Sequence, residues 1–156
     1  MPLECTVCGS GGVLSAPATP ASMYPIVLVG DADVKAAVRE LAVGFCGAVA
    51  TDKPFLVQII RHTGTVNTST ALTEYKLDSQ HSATAQIAAH ENVTWTGGAE
   101  SVLWETTVHP QTRWAWAPPF GMTLALNASE SVGVKVTTLT GGTSNIACYG
   151  AAVWQE

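Results

Sequence analysis

The chain has 156 residues, 47% of them hydrophobic and only 12% charged, with a formal net charge of −5. That length suits one domain with a single core, and the charged share is about half of the roughly 25% usual in soluble domains. The negative balance argues against nucleic acid held through its phosphates, and no apolar run approaches the roughly 20 residues of a membrane helix.

No charge lies between Glu4 and Asp31, and only Arg113 between Glu105 and Glu130. A lone monomer normally carries more surface charge, so burial against other chains is expected. No Lys or Arg precedes Lys35, so a secretory signal peptide is not expected.

Residues 1–21 hold Gly9, Gly11, Gly12, Pro17 and Pro20 among small side chains. Such a composition predicts an extended N-terminal arm rather than a packed segment. Within it, Cys5-Thr-Val-Cys8-Gly9 is half of a zinc knuckle, or a thiol pair able to form a local disulfide. A full site needs four ligands. Cys46 and Cys148 are isolated in strands, and His62, His81, His90 and His109 show no ligand spacing. No metal or other cofactor is therefore expected.

Residues 22–156 are expected to form one β domain. Met23 to Gly30 reads as a strand. Asp31 to Leu41 is ambiguous: Val34, Ala37, Val38 and Leu41 fit a helical period, whereas Leu41, Val43 and Phe45 alternate as in a strand. Phe55 to Ile60 is a strand entered through Pro54. Gly64 to Thr70 reads as a turn-rich loop. Ala71 to Leu77 and Thr84 to Ala89 are weak strands. Gly97-Gly98 is a turn, and Ser101 to Val108 and Thr112 to Ala117 are strands. Met122, Leu124 and Leu126 alternate, as do Val132, Val134 and Val136, and Gly141-Gly142 turns the chain. In the closing segment Ile146, Cys148, Gly150, Ala152 and Trp154 share one face, with Ala147, Tyr149, Ala151 and Val153 on the other. A strand apolar on both faces should be covered on both. Eight or so short strands without a clear helix or repeat predict an all-β, antiparallel β-sandwich of the jelly-roll type.

No enzyme signature emerges. Metal-dependent cupins need paired histidines, and none lie close in sequence. No Gly-X-Ser-X-Gly occurs, and no phosphate-cradling loop is present. Cys46, in an apolar strand, reads as a buried structural thiol. Glu91, Glu100 and Glu105 could supply the paired carboxylates of a glycosidase, but so few acids give no specific signal. The aromatic pattern says more. Trp114 and Trp116 share one face of a strand with Arg113 on the other, and Trp104 and Trp154 lie on other strands. Trp104, Trp114, Trp116, Tyr149 and Trp154 are the candidates for core or interface anchors.

The order of motifs also carries a resemblance. It runs VKAAVRELAVGFCGAVATDKPFLVQIIRHTG, TALTEYKLDSQHSATA, WETTVHPQTRWAWAPP, LALNASESVGVKV and ACYGAAVWQE. This resembles small jelly-roll proteins encoded beside the major capsid protein of tailed phages, and the wider trimeric TNF/C1q-like fold. The resemblance implies that VKAAVRELAVGF is a strand. It further implies a homotrimer on the capsid surface of a virion, a decoration (cement) protein whose partner is the phage major capsid protein. On that reading the arm residues Cys5, Val7, Cys8, Val13 and Leu14 contact the capsid. The alternative is a head-fibre or tail receptor-binding tip that recognises a host glycan. Neither reading involves enzyme activity, nucleic acid or a membrane.

Overall fold

The computed structural model describes residues 2–9, 13–14, 21–46, 53–139 and 146–156. These form strands β1 (Glu4–Gly9), β2 (Val13–Leu14), β3 (Ser22–Val29), β4 (Ala36–Cys46), β5 (Phe55–His62), β6 (Thr65–Ala71) and β7 (Tyr75–Lys76). They are followed by β8 (Ala88–Thr96), β9 (Glu100–Val108), β10 (Trp114–Trp116), β11 (Leu124–Leu126), β12 (Ser131–Thr138) and β13 (Ile146–Gln155).

The strands make two antiparallel sheets. The first runs β10-β4-β13-β1-β7, with β11 also on β4 and β2 also on β13; the second runs β6-β8-β3-β12-β5-β9. From β3 to β5, and again from β9 to β13, the chain passes back and forth between the sheets. The result is a jelly-roll β-sandwich, as the alternating apolar pattern predicts. The ambiguous segment before Phe45 is strand β4: its Val38, Leu41 and Val43 point into the sandwich and are fully buried.

The core follows from period-two alternation. Ile146, Cys148, Ala152 and Trp154 of β13 face Ile26 and Leu28 of β3, Val132, Val134 and Val136 of β12, and Val57 and Ile59 of β5. Gly150 lies on the same inward face, where an added Cβ would stand 2.5 Å from the Pro25 carbonyl oxygen and 2.7 Å from Ile26 Cβ. Its register partner Gly9 is equally hemmed in, at 3.0 Å from the same carbonyl. Two paired glycines thus let the first sheet approach β3 closely.

Two expectations are corrected. The first concerns residues 1–21, which are not wholly an arm outside the fold. Glu4–Gly9 is an interior strand, paired with β13 over six positions and with β7 on its other side. Leu3, Cys5 and Val7 are buried in the core. A short strand needs only two or three inward apolar residues when long strands flank it. Val13 and Leu14 pair with Ala147 and Ile146.

The second concerns the segment between β5 and β9. The expected loop at Gly64 to Thr70 is strand β6, whose side chains are mostly exposed and so show no alternation. The weak strands expected at 71–77 and 84–89 reduce to Tyr75–Lys76 and the start of β8. There, carboxylates take the place of a ladder: Glu74 Oε1 accepts from the Ala89 amide at 2.8 Å, and Glu156 accepts from the Gln86 and Ile87 amides at 3.0 Å. The Gly97-Gly98 turn stands, with both residues at positive φ. The expected turn at Gly141-Gly142 lies outside the described residues.

Candidate interaction surface

An uncovered apolar surface lies along one long side of the sandwich. There β9 is the outer strand of the second sheet, and β10 and β11 line the same side of β4 in the first. Trp104 of β9 is opposite Ile59, and Trp114 of β10 is opposite Val43. Both partners point inward, so both indoles lean between the sheets, and they stack with centroids 5.3 Å apart and planes 18° apart. Trp114 and Trp116 also pack on the core. Trp104 keeps 37% of its surface exposed, beside Leu103 at 43% and Val102 at 47%. The register against β5 shifts between Trp104 and Val102, leaving Leu103 as the extra residue of a bulge.

Beyond β10 the chain leaves the sheet through Pro118 and Pro119 and returns at β11. The Met122 amide donates to the Pro119 carbonyl at 2.8 Å, and Gly121 has φ +81°. This is a tight turn with glycine at the left-handed position. Its tip presents Phe120, fully exposed, and Met122, 67% exposed. Between tip and edge lies an open groove of about 300 Å³, lined by Leu103, Trp116, Pro118, Met122 and Leu124 over Arg61. Arg61 is already engaged: it donates to the Ala125 carbonyl at 2.7 Å and lies 3.7 Å from Glu130.

The outer face of the first sheet is the second element. The registers align Ala115, Ala42, Ala151 and Cys8 across four strands, and place Gly44 beside Tyr149. A shallow concavity of about 370 Å³ lies there, lined by Ala42, Gly44, Ala151, Cys8, Tyr149 and Arg113. Tyr149 is 46% exposed. Arg113 reaches Glu40 at 3.5 Å with both side chains well solvated, an interaction that contributes little. Of the outward residues of β13, Tyr149 is exposed and Ala147, Ala151 and Val153 are half-buried, so the described residues cover this face only in part.

The remaining sequence candidates fall elsewhere. Trp154 is a core residue with no exposure, and its indole N–H donates to Glu156 Oε1 at 2.9 Å. Cys5 points inward and Cys8 outward, as residues three apart on a strand must. They cannot join one another or share a metal, and among the described residues no group of three His, Cys, Asp or Glu side chains is placed to hold an ion. Burial, with the Glu156 and Glu74 carboxylates nearby, pushes the Cys5 thiol up to about 11, and burial alone pushes Cys148 up to about 12. Neither is a reactive thiolate at neutral pH. Cys46, read as buried, is exposed at the end of β4. Among the capsid-contact candidates Cys5 and Val7 are corrected to core residues, because the β1 ladder turns them inward. Cys8 remains accessible.

The three carboxylates considered for sugar chemistry are held in different ways. Glu91 is buried. Glu100 accepts from Lys135 at 2.6 Å and from the Tyr24 hydroxyl at 2.9 Å, and Glu105 accepts from Gln58 at 2.9 Å. Burial and the Glu100 hydrogen bond raise the Tyr24 pKa. Lys135, Tyr24, Trp95 and His62 form one aromatic and charged cluster, with the His62 ring stacked on Trp95 at 4.3 Å.

Sequence reasoning missed Val102, Leu103, Phe120 and Met122 as surface anchors. A signal was present for the first two. Val102-Leu103-Trp104 puts three large apolar residues in a row, which a half-buried strand cannot hide. No family model, curated protein or solved structure matches this chain.

Proposed function

We propose that the chain is a structural virion protein, a homotrimeric decoration protein that binds the outside of a phage capsid and stabilises it. One observation carries the reading: the exposed Val102, Leu103, Trp104, Phe120 and Met122 lie together on one edge and one turn of a jelly roll. Phe120 and Met122 stand out from the turn, and no charge lies between Arg113 and Glu130. A decoration protein needs no chemistry. It adds buried area across joints between shell subunits, and three linked contacts act together through effective concentration.

With Cys5 and Val7 in the core, the contact with the shell falls to the 118–122 turn. Two prolines and a hydrogen-bonded turn hold Phe120 in place, so little conformational freedom is lost on binding. The test is co-sedimentation with empty capsids. Phe120→Ser with Met122→Ser should lower occupancy at least tenfold without changing the fold. Undiminished occupancy removes the turn as the anchor. Binding to host glycans but not to shells favours a receptor-binding tip instead.

A further inference from the structure

We infer that residues 72–87 form a strap that opens as a unit from an otherwise intact sandwich, baring the Cys5 thiol and one side of β1. The chain leaves the second sheet after β6, crosses to β1 and returns at β8. It meets the first sheet through a ladder of two positions, Cys5 with Lys76 and Thr6 with Tyr75. One further bond runs from the Leu77 amide to the Glu4 carbonyl at 2.9 Å. Carboxylates latch the two ends. Glu74 accepts from the Ala89 amide at 2.8 Å, and Glu156 accepts from the Gln86 and Ile87 amides, each at 3.0 Å.

Burial does little to hold this segment. None of the described residues 73–86 is buried, and Tyr75 and Leu77 are 63% and 55% exposed. Leu72 and Ala85 touch the core from its two ends. A segment tied down by solvated hydrogen bonds, with few apolar contacts, opens at a lower free energy than the core strands. Its own bonds keep it together as it moves. Lys76 donates to the His81 carbonyl at 2.6 Å, and Asp78 accepts from the Gln80 amide at 2.9 Å.

Beneath the strap lies Cys5, with no exposure. The Glu156 and Glu74 carboxylates push its thiol pKa up and the Lys76 ammonium pulls it down, so the charges of strap and latch surround it. Cys148 is equally hidden, but by the core: its strand β13 has β4 on one side and β1 and β2 on the other. The two thiols therefore differ in what must move to reach them. Lifting the strap also turns β1 from an interior strand into an edge strand, with backbone groups free to pair.

Thiol labelling of the full wild-type chain tests this. An excess of a small aromatic disulfide is added at neutral pH without denaturant, and the labelled sites are located by peptide mass. Cys8 and Cys46 are exposed and react at once. Cys5 should follow at least tenfold faster than Cys148. Urea below the unfolding midpoint should speed Cys148 far more than Cys5, because urea sensitivity scales with the surface bared on opening. Glu74→Ala should speed Cys5 at least fivefold and leave Cys148 within twofold, so Cys148 also reports that the variant is folded. Hydrogen exchange should find the β1 amides bonded to β13 still protected on the timescale of Cys5 labelling. One common rate and urea dependence for both thiols in the wild-type chain overturns the inference, since only global unfolding then reaches Cys5. Exchange of those β1 amides as fast as Cys5 reacts also overturns it, because β1 itself is then fraying. A folded Glu74→Ala chain with an unchanged Cys5 rate removes the carboxylate latch.

Discussion

Trp104 and Trp114 come from different sheets, and their stacked rings close the open side of the sandwich. Trp104 keeps 37% of its surface exposed, whereas Trp114 packs on the core. An aromatic pair of this kind contributes about 0.5–1.5 kcal/mol beyond the area it buries. A double-mutant cycle with Trp104→Ala and Trp114→Ala should return a coupling in that range. Additive effects would mean that the two sheets are held together without this contact.

Trp154 is the largest fully buried side chain. Trp154→Ala should cost about 3–5 kcal/mol in chemical unfolding. Trp154→Phe should cost less, but it also removes the donor to Glu156. Glu156 further accepts from Gln86 and Ile87, and its backbone pairs with Leu3. Glu156→Ala should therefore destabilise by about 1.5–3 kcal/mol, the range for hydrogen bonds to a charged group. An unchanged midpoint would show that water replaces the carboxylate at no cost.

Deleting residues 2–9 removes β1 and with it Leu3, Cys5 and Val7 from the core. It also exposes one side of β13 over six paired positions. The truncated chain should lose cooperative thermal unfolding or become insoluble. A folded truncation with an unchanged melting temperature would restore the segment to the status of an arm. In the full chain, zinc should shift the melting temperature by less than about 1 °C, since ligand binding stabilises only where a site exists.

Cys5 and Cys148 give a pH dependence with a definite sign. Their folded-state pKa values, about 11 and about 12, lie above the unfolded value of 9.0. Their contribution is complete below pH 9 and is lost as pH rises through 11 to 12, because the unfolded chain gives up its thiol protons first. Tyr24 shifts the same way and adds to the loss above pH 10. The urea midpoint should fall between pH 8.5 and pH 10.5, and Cys5→Ala with Cys148→Ala should flatten that fall. An unaltered slope in the double variant would assign the loss elsewhere.

How much of this was legible follows from the range over which each signal acts. Alternation in β12 and β13 was plain because successive side chains of a strand face opposite ways, whereas the start of β4 was ambiguous, since Val34, Ala37, Val38 and Leu41 also fit a helical period. From these the class of fold follows, and so does the shared face of Ile146, Cys148, Gly150, Ala152 and Trp154, but with both faces of β13 apolar the sequence does not say which one points inward. Strand β6 left no such record, since a Thr-rich strand exposed on both sides reads like a loop. Strand β1 was obscured differently. Its two inward residues, Cys5 and Val7, sit beside a glycine-rich stretch, and its pairing partner β13 lies at the other end of the sequence.

The surfaces divide in the same way. Composition alone marked the chain as poor in charge, and the tryptophans as anchors. Only the tertiary structure decided that Trp154 is core, that Trp104 and Trp114 meet at an open edge, and that Ala42, Ala151 and Cys8 line one shallow concavity. Those facts depend on strands brought together from distant parts of the chain. Register across a sheet is set by the sum of many inward contacts, so no local stretch of sequence contains it.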